Sequence, residues 1–333
     1  MRAFLLDGYG AIADHVRLAD AADPVPRFDE VLIEIHAASL NPIDFKIVHG
    51  DLKRVSKYRL PRPFGFDASG IVRSAGARAV SFKPGDAVYV RASRETIGTF
   101  AEKIALPEKF VARKPAAISH TEAAALPLVG LTTLQGFARV KARPGQRILI
   151  HAGAGGIGTF AVQYARHLGL EVTTTTSSKN ADFVKSLGAD RVIAYDRENY
   201  LDAGGGYDIV YDTLGGAFTI DAFKVVKRGG AVISLSGPPD RDFARREGAG
   251  WLVRAAIWLM SRKVYAASTE AGATYCWFFT EPSGDQLREI AGLVERGAIK
   301  PVIDREFAFD QLPDALTYLE AGRARGTVVL QVK

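Results

Sequence analysis

The 333-residue chain carries 43 Lys and Arg against 37 Asp and Glu, a formal net charge of +6. Hydrophobic residues make up 47% of it and charged residues 24%, which excludes a disordered or fibrous chain and leaves room for about two domains with separate cores. The basic residues are scattered except for Arg241, Arg245 and Arg246, so the charge suits an anionic cofactor and gives no basis for a nucleic-acid partner.

Met1 to Tyr9 enters directly into a strand-like run with Asp7 inside it, so no signal peptide is expected. As far as about Pro115 the chain is written in short alternating or apolar runs. Glu30 to Ala37, Ala68 to Ser74, Ala87 to Val90 and Thr99 to Leu106 have strand character, and Lys83-Pro84-Gly85-Asp86 is a turn. Ser119-His120-Thr121-Glu122 is then a capping-box pattern that opens an Ala/Leu-rich helical stretch reaching about Val140. Beyond it the period alternates. Strands are predicted at Arg147 to His151, Glu171 to Thr176, Arg191 to Tyr195, Ile209 to Asp212 and Ala231 to Leu235, with helices at Ile157 to Leu168 and Ala181 to Leu187. That order predicts an α/β fold with a parallel sheet covered on both faces. A helix near Pro313 to Ala321 and a strand at Gly326 to Val332 close the chain, and this last piece is placed to complete the N-terminal β-rich part.

Ile148 to Gly158 is the most informative stretch. Gly153, Gly155 and Gly158 have the G-x-G-x-x-G spacing, with an apolar run before them and helical spacing after. The spacing alone also occurs in ordinary turns. A strand on one side and a helix on the other is the context in which backbone N–H groups and a helix dipole approach a pyrophosphate. Pro238 to Lys263 is the irregular region, basic at first and then apolar, with Trp251 and Trp258. Three readings stay open for it: an amphipathic helix buried against the core or at a dimer contact, a mobile wall over an apolar substrate pocket, and a peripheral membrane contact. Its apolar core, Trp251 to Met260, is interrupted by Arg254 and falls well short of the roughly 20 residues of a spanning helix, so no stable membrane insertion is expected. The single cysteine, Cys276, excludes an intramolecular disulfide and fits a reducing, cytoplasmic setting.

Several separated stretches resemble one family, the zinc-independent quinone oxidoreductases of the medium-chain dehydrogenase/reductase superfamily, and within it the enone and alkenal reductases. They are Asn41-Pro42-Ile43-Asp44-Phe45-Lys46, Gly65-Phe66-Asp67-Ala68-Ser69-Gly70, Lys83 to Asp86, Gly98-Thr99-Phe100-Ala101-Glu102, Leu126-Pro127 with Gly130-Leu131-Thr132-Thr133, the glycine loop, and Ser186-Leu187-Gly188-Ala189-Asp190. Each is moderately specific, and their order and spacing together are much more so. The resemblance implies a discontinuous GroES-like β-rich substrate domain, 1–122 with 299–333, and a Rossmann domain, 123–298, with the nicotinamide lying in the cleft between them. It also implies a homodimer.

Zinc alcohol dehydrogenases share this fold but need thiolate ligands for the catalytic ion. Here Asn41 stands where they carry the first catalytic cysteine, and Gly65-Phe66-Asp67 stands for their Gly-His-Glu. The six histidines are dispersed, so no metal site is expected. An NAD-preferring fold needs an acid about 20 residues past the glycine loop. At that place the chain reads Thr176-Ser177-Ser178-Lys179-Asn180, two hydroxyls and a cation with no acid, which suits a 2′-phosphate and hence NADPH; the other reading is a solvated polar turn.

The family further implies Asn41 and Thr132 near the nicotinamide, and Ala154, Gly155, Gly156 and Ile157 at the pyrophosphate. Ser177, Ser178 and Lys179 would take the 2′-phosphate and Tyr195 the adenine, while Leu214 and Ser236 lie at strand C-terminal ends. The bland alternatives are an ordinary helix residue for Thr132 and a core aromatic for Tyr195. Hydride delivery to a small apolar quinone, or to the β carbon of an unsaturated ketone or aldehyde, leaves a charged oxygen that needs a donor. Lys46 is the candidate, with Asn41 beside it. The family more often has tyrosine where Lys46 stands, so water is the alternative proton donor and a solvated surface lysine the alternative reading. An enoyl-thioester reductase, with Arg241 to Arg246 as a basic rim, and a non-catalytic NADPH-binding protein are the competing functions.

Overall fold

The computed structural model describes residues 1–53, 58–246, 248 and 250–333, without the side chains of Ala244 and Arg246, so Arg246 of the basic cluster lies outside the described side chains. The first strands are β1 (Arg2–Leu6), β2 (Val16–Asp20), β3 (Glu30–Leu40), β4 (Arg62–Pro63), β5 (Asp67–Ala75), β6 (Ala87–Arg91), β7 (Lys103–Pro107) and β8 (Val111–Arg113). Strand β3 organises them. Its Val31, Ile33 and Ile35 point into the core while Leu32, Glu34 and His36 are only half-buried, the period-two pattern of a strand with one packed face. It pairs antiparallel with β5 and with β7, and β5 continues through β6 to β8. The predicted strand Thr99 to Leu106 begins only at Lys103. Residues before it turn across to β1, where Phe4 N–H donates to the Phe100 carbonyl at 2.8 Å.

The middle of the chain supplies β9 (Arg147–Ile150), β10 (Glu171–Thr176), β11 (Arg191–Ala194), β12 (Tyr207–Asp212), β13 (Val226–Ser234) and β14 (Thr274–Cys276). They form one sheet in the order β11-β10-β9-β12-β13-β14, every pair parallel. The order reverses between β9 and β12. This is the doubly wound Rossmann arrangement, whose ligands bind beyond the strand C-termini at that reversal. Strand β10 is buried along Val172–Thr176, and its threonines are tolerable there because their hydroxyls are used: Thr174 Oγ1 donates to the Ile150 carbonyl at 2.7 Å. The last strands, β15 (Ile303–Ala308) and β16 (Thr327–Gln331), return to the first sheet, with β16 antiparallel to β3.

Contacts divide the chain into Met1–Leu131 with Glu281–Lys333, and Thr132–Thr280. The helix Gly284–Glu295 thus falls with the first unit. It packs against β8, and the Tyr89 hydroxyl donates to its Leu287 carbonyl. The helical stretch expected from Ser119 to Val140 is broken into His120–Ala124 and Pro127–Arg139. The capping box at Ser119 forms, with Glu122 N–H donating to Ser119 Oγ at 3.1 Å and Ser119 N–H to Glu122 Oε2 at 2.8 Å. Pro127 then cannot continue the first helix and starts a second.

Candidate cofactor and catalytic residues

Two of the three motif glycines each have a steric reason of their own. A Cβ on Gly153 would fall 2.1 Å from Thr174 Oγ1, and one on Gly158 would fall 2.2 Å from the Ala152 carbonyl. The first glycine therefore lets the loop lie against β10, and the last lets the following helix close onto the loop. Gly155 differs: its Cβ would meet only the Ala152 carbonyl, at 3.4 Å, so nothing in the protein requires glycine there. It heads the helix Gly156–His167 and brings no side chain to cap the first-turn amides. Open space over uncapped N–H groups is what a pyrophosphate needs. The loop is held by β10, with Ala152 N–H donating to Thr175 Oγ1 at 3.1 Å and Gly153 N–H to the Thr175 carbonyl at 2.9 Å. Ala152 itself takes a positive φ of 53°.

Across the reversal, Asp212 at the end of β12 fixes the neighbouring loop. Its Oδ1 accepts from Leu214 N–H and Gly215 N–H at 2.9 Å each, and its Oδ2 from Thr219 Oγ1 at 2.5 Å and Ser234 Oγ at 2.7 Å. Ser236 Oγ donates to the Thr213 carbonyl at 3.2 Å, and Thr213 Oγ1 to the His151 carbonyl at 3.0 Å. Leu214 and Ser236 thus stand exposed at adjacent strand ends, on the same side as the glycine loop. The His151 ring is fully buried, makes no hydrogen bond among the described residues, and packs edge-on against Tyr200; burial lowers its pKa. Neither Asp212 nor His151 was expected as a site residue. The only signal for Asp212 is an acid ending an otherwise apolar strand.

At the outer edge, Tyr195 N–H donates to the Thr176 carbonyl at 3.0 Å, which brings Tyr195 beside the Ser177–Lys179 turn. The tyrosine is 67% exposed, so the core-aromatic reading is corrected. Lys179 is exposed, and the Ser177 hydroxyl is buried without a partner. Ser178 departs from expectation. Its N–H donates to Asp196 Oδ1 at 2.7 Å and its hydroxyl to Oδ2 at 2.6 Å, and these bonds hold the Asp196 carboxyl below the usual carboxylate range. An acid is therefore present at the turn, brought by the loop after β11 and invisible to a search of the strand end alone.

In the first unit, Asn41 and Lys46 lie at the head and inside the helix Pro42–His49. Asn41 is buried and its amide donates to Asp67 Oδ2 at 3.1 Å; Asp67 also accepts from Leu128 N–H at 2.9 Å and from Arg91 at 3.2 Å. The amide implied to reach a nicotinamide is engaged inside its own unit. Asn41 N–H donates to Asp44 Oδ2 at 2.7 Å, and burial raises the pKa of Asp44 well above the carboxylate range. Lys46 is half-buried, with no ion-pair or hydrogen-bond partner for its ammonium group among the described residues. Thr132 is buried and shares a 2.7 Å hydroxyl contact with Thr280.

The Pro238 to Lys263 segment holds the start of a 21-residue helix, Trp251–Ala271; residues 247 and 249 of the segment lie outside the described residues. Trp251 is 75% and Trp258 55% exposed, so the reading of tryptophans buried against the core is corrected. Within the basic cluster, Arg245 pairs with Asp242 at 3.0 Å, and Arg241 stacks over Tyr265 at 4.1 Å.

Residues 27–116 match the alcohol dehydrogenase GroES-like domain model, and residues 187–330 the zinc-binding dehydrogenase model. The chain is 36% identical to a 2-methylene-furan-3-one reductase of Solanum lycopersicum, over 99% of this chain and 79% of that protein. It is 33% identical to the chloroplastic NADPH-dependent alkenal/one oxidoreductase of Arabidopsis thaliana, with the same coverage of each. The solved quinone oxidoreductase of Coxiella burnetii superposes with a TM-score of 0.86 at 30% identity, covering 100% of this chain and 99% of that one.

Proposed function

Since this chain belongs to the quinone oxidoreductase and alkenal/one reductase family of the medium-chain dehydrogenase/reductase superfamily, we propose that it is an NADPH-dependent, zinc-independent reductase of quinones or of the C=C bond of α,β-unsaturated ketones and aldehydes. The observation that carries this reading is the open backbone at Gly155, set between two glycines that the fold itself demands. Bound there, NADPH supplies the hydride. The Gly156–His167 helix start would hold the pyrophosphate, exposed Lys179 would pair with the 2′-phosphate beside Ser177 and Ser178, and exposed Tyr195 would offer a ring to the adenine. Leu214 and Ser236 line the adjoining strand ends.

Lys46 is assigned to the substrate oxygen that gains negative charge, because its ammonium group has no acid of its own to neutralise. Asn41, with its amide on Asp67, positions the head of the helix that carries Lys46. Zinc independence is supported by ligand chemistry. Among the described residues no three of His, Cys, Asp and Glu cluster, and the Asp67 carboxylate is shared by Arg91, Asn41 and Leu128, with a guanidinium where a cation would have to sit. A cytoplasmic homodimer completes the proposal; among the described residues the sheet ends on β14, whose outer edge is open to a second copy.

Steady-state NADPH oxidation with a panel of enones, alkenals and quinones tests the reading. Turnover of at least one class is expected. Cofactor binding without turnover of any of them would overturn it in favour of a non-catalytic NADPH-binding protein, and selective turnover of acyl thioesters would replace the substrate class.

A further inference from the structure

The helix Trp251–Ala271 carries apolar residues on its solvent side as well as on its packed side. A surface helix turns its apolar face inward and its polar face to water. Here the buried residues are Ile257, Ser261, Val264 and Ser268, two of them serines that spend their hydroxyls on the carbonyls of Trp258 and Ala273. By the 3.6-residue period, Leu252, Ala255 and Leu259 stand on the opposite face. Leu252 is 65% and Leu259 56% exposed, with Trp251 and Trp258 exposed on the flank beside them. Loose single apolar residues on a surface need no explanation, but a contiguous group on the solvent face of one helix marks a contact.

We propose that the stretch Trp251 to Lys263 of this helix docks the protein onto an anionic phospholipid surface, lying in the plane of the interface. Charge decides between the possible occupants. From Gly248 to Thr269 there is no acid, while Arg254, Arg262 and Lys263 are cations with no carboxylate partner among the described residues. Arg241 adds a fourth, its guanidinium 5.6 Å from the Trp258 ring. A second copy meeting this face through its own equivalent would set like charges against like. Lipid phosphates would pair with the cations, and tryptophan rings beside leucines suit the boundary between headgroups and acyl chains. Among the described residues no helix is long and apolar enough to cross a membrane, which fits attachment without spanning. The inference is independent of the reading of the cofactor site.

Co-sedimentation of the full-length chain with phosphatidylcholine vesicles, with and without phosphatidylserine, is the test. The protein is expected in the pellet only with phosphatidylserine, and less of it as salt rises. Arg262→Gln and Lys263→Gln should each lower the partition coefficient about fivefold, and Leu252→Ser with Leu259→Ser about tenfold or more together, all with unchanged circular dichroism and melting. Two results would overturn the proposal: no binding to anionic vesicles at low salt, or binding indifferent to these four positions. A third would be light scattering in which the leucine variants turn a dimer into a monomer, placing a second copy on this face.

Discussion

At the glycine loop, two of three positions are fixed by what a Cβ would strike; at the Ser177–Lys179 turn the polar atoms of Ser178 are held by a carboxylate from the loop after the next strand. The loop belongs to the packing of β9, β10 and the helix after them, so it can change only with the fold. The charged groups at the turn, Lys179 and Asp196, are exposed and can change without touching the sheet. On the proposed reading, phosphate binding and cofactor choice would be held by different forces: sterics for the first, and side-chain hydrogen bonds and charge for the second.

Substitutions can separate the two. The largest effect belongs to Gly158→Val, whose Cβ would fall 2.2 Å from a backbone carbonyl that has no rotamer to escape through. About 3 kcal/mol of stability should be lost, read as a lower melting temperature, with cofactor binding falling alongside it. A melt like that of the unmodified protein would break the steric account. Lys179→Ala should leave the melt alone, weaken NADPH about tenfold and change NADH little, by titration of each cofactor. Equal losses for both would remove the 2′-phosphate assignment. The smallest effect is expected for Asp196→Asn, which takes a negative charge from the turn proposed to accept a phosphate. NADPH should bind about threefold tighter, and the gain should fade at high salt because the group is exposed. Weaker NADPH binding would mean that Asp196 serves mainly to hold the turn in shape.

Much of this was legible in advance, for physical reasons that differ by region. The strand Glu171–Thr176 was read to the residue because β-branched threonines bounded by a turn leave little choice, and the helix after the glycine loop was displaced by one residue. The break at Pro127 was missed because the Ala/Leu periodicity continues across it, although proline carries its own signal. Asp196 was missed for another reason. It reaches Ser178 across 18 residues through the pairing of β10 with β11, and no local pattern records a contact that the register of two strands creates. Asn41 shows the same limit: its place at the head of a helix could be read, but its engagement with Asp67 depends on the fold of the whole β-rich unit. Which way the tryptophans of the Trp251–Ala271 helix face is not written in their spacing, because the same stripe serves a helix buried against the core or at a dimer contact, a pocket wall or a membrane contact; the exposed side follows from which residues pack inward.

The most direct measurement for the cofactor site is an NADPH titration of Gly155→Ala beside its thermal melt. Because a Cβ there meets nothing closer than 3.4 Å, the melt should move by no more than the ~0.5 kcal/mol of a weaker helix cap. NADPH affinity should fall at least about tenfold, since the methyl group occupies the space the pyrophosphate needs. A Gly155→Ala protein that binds NADPH as tightly as the unmodified chain would contradict the placement of the cofactor on this loop.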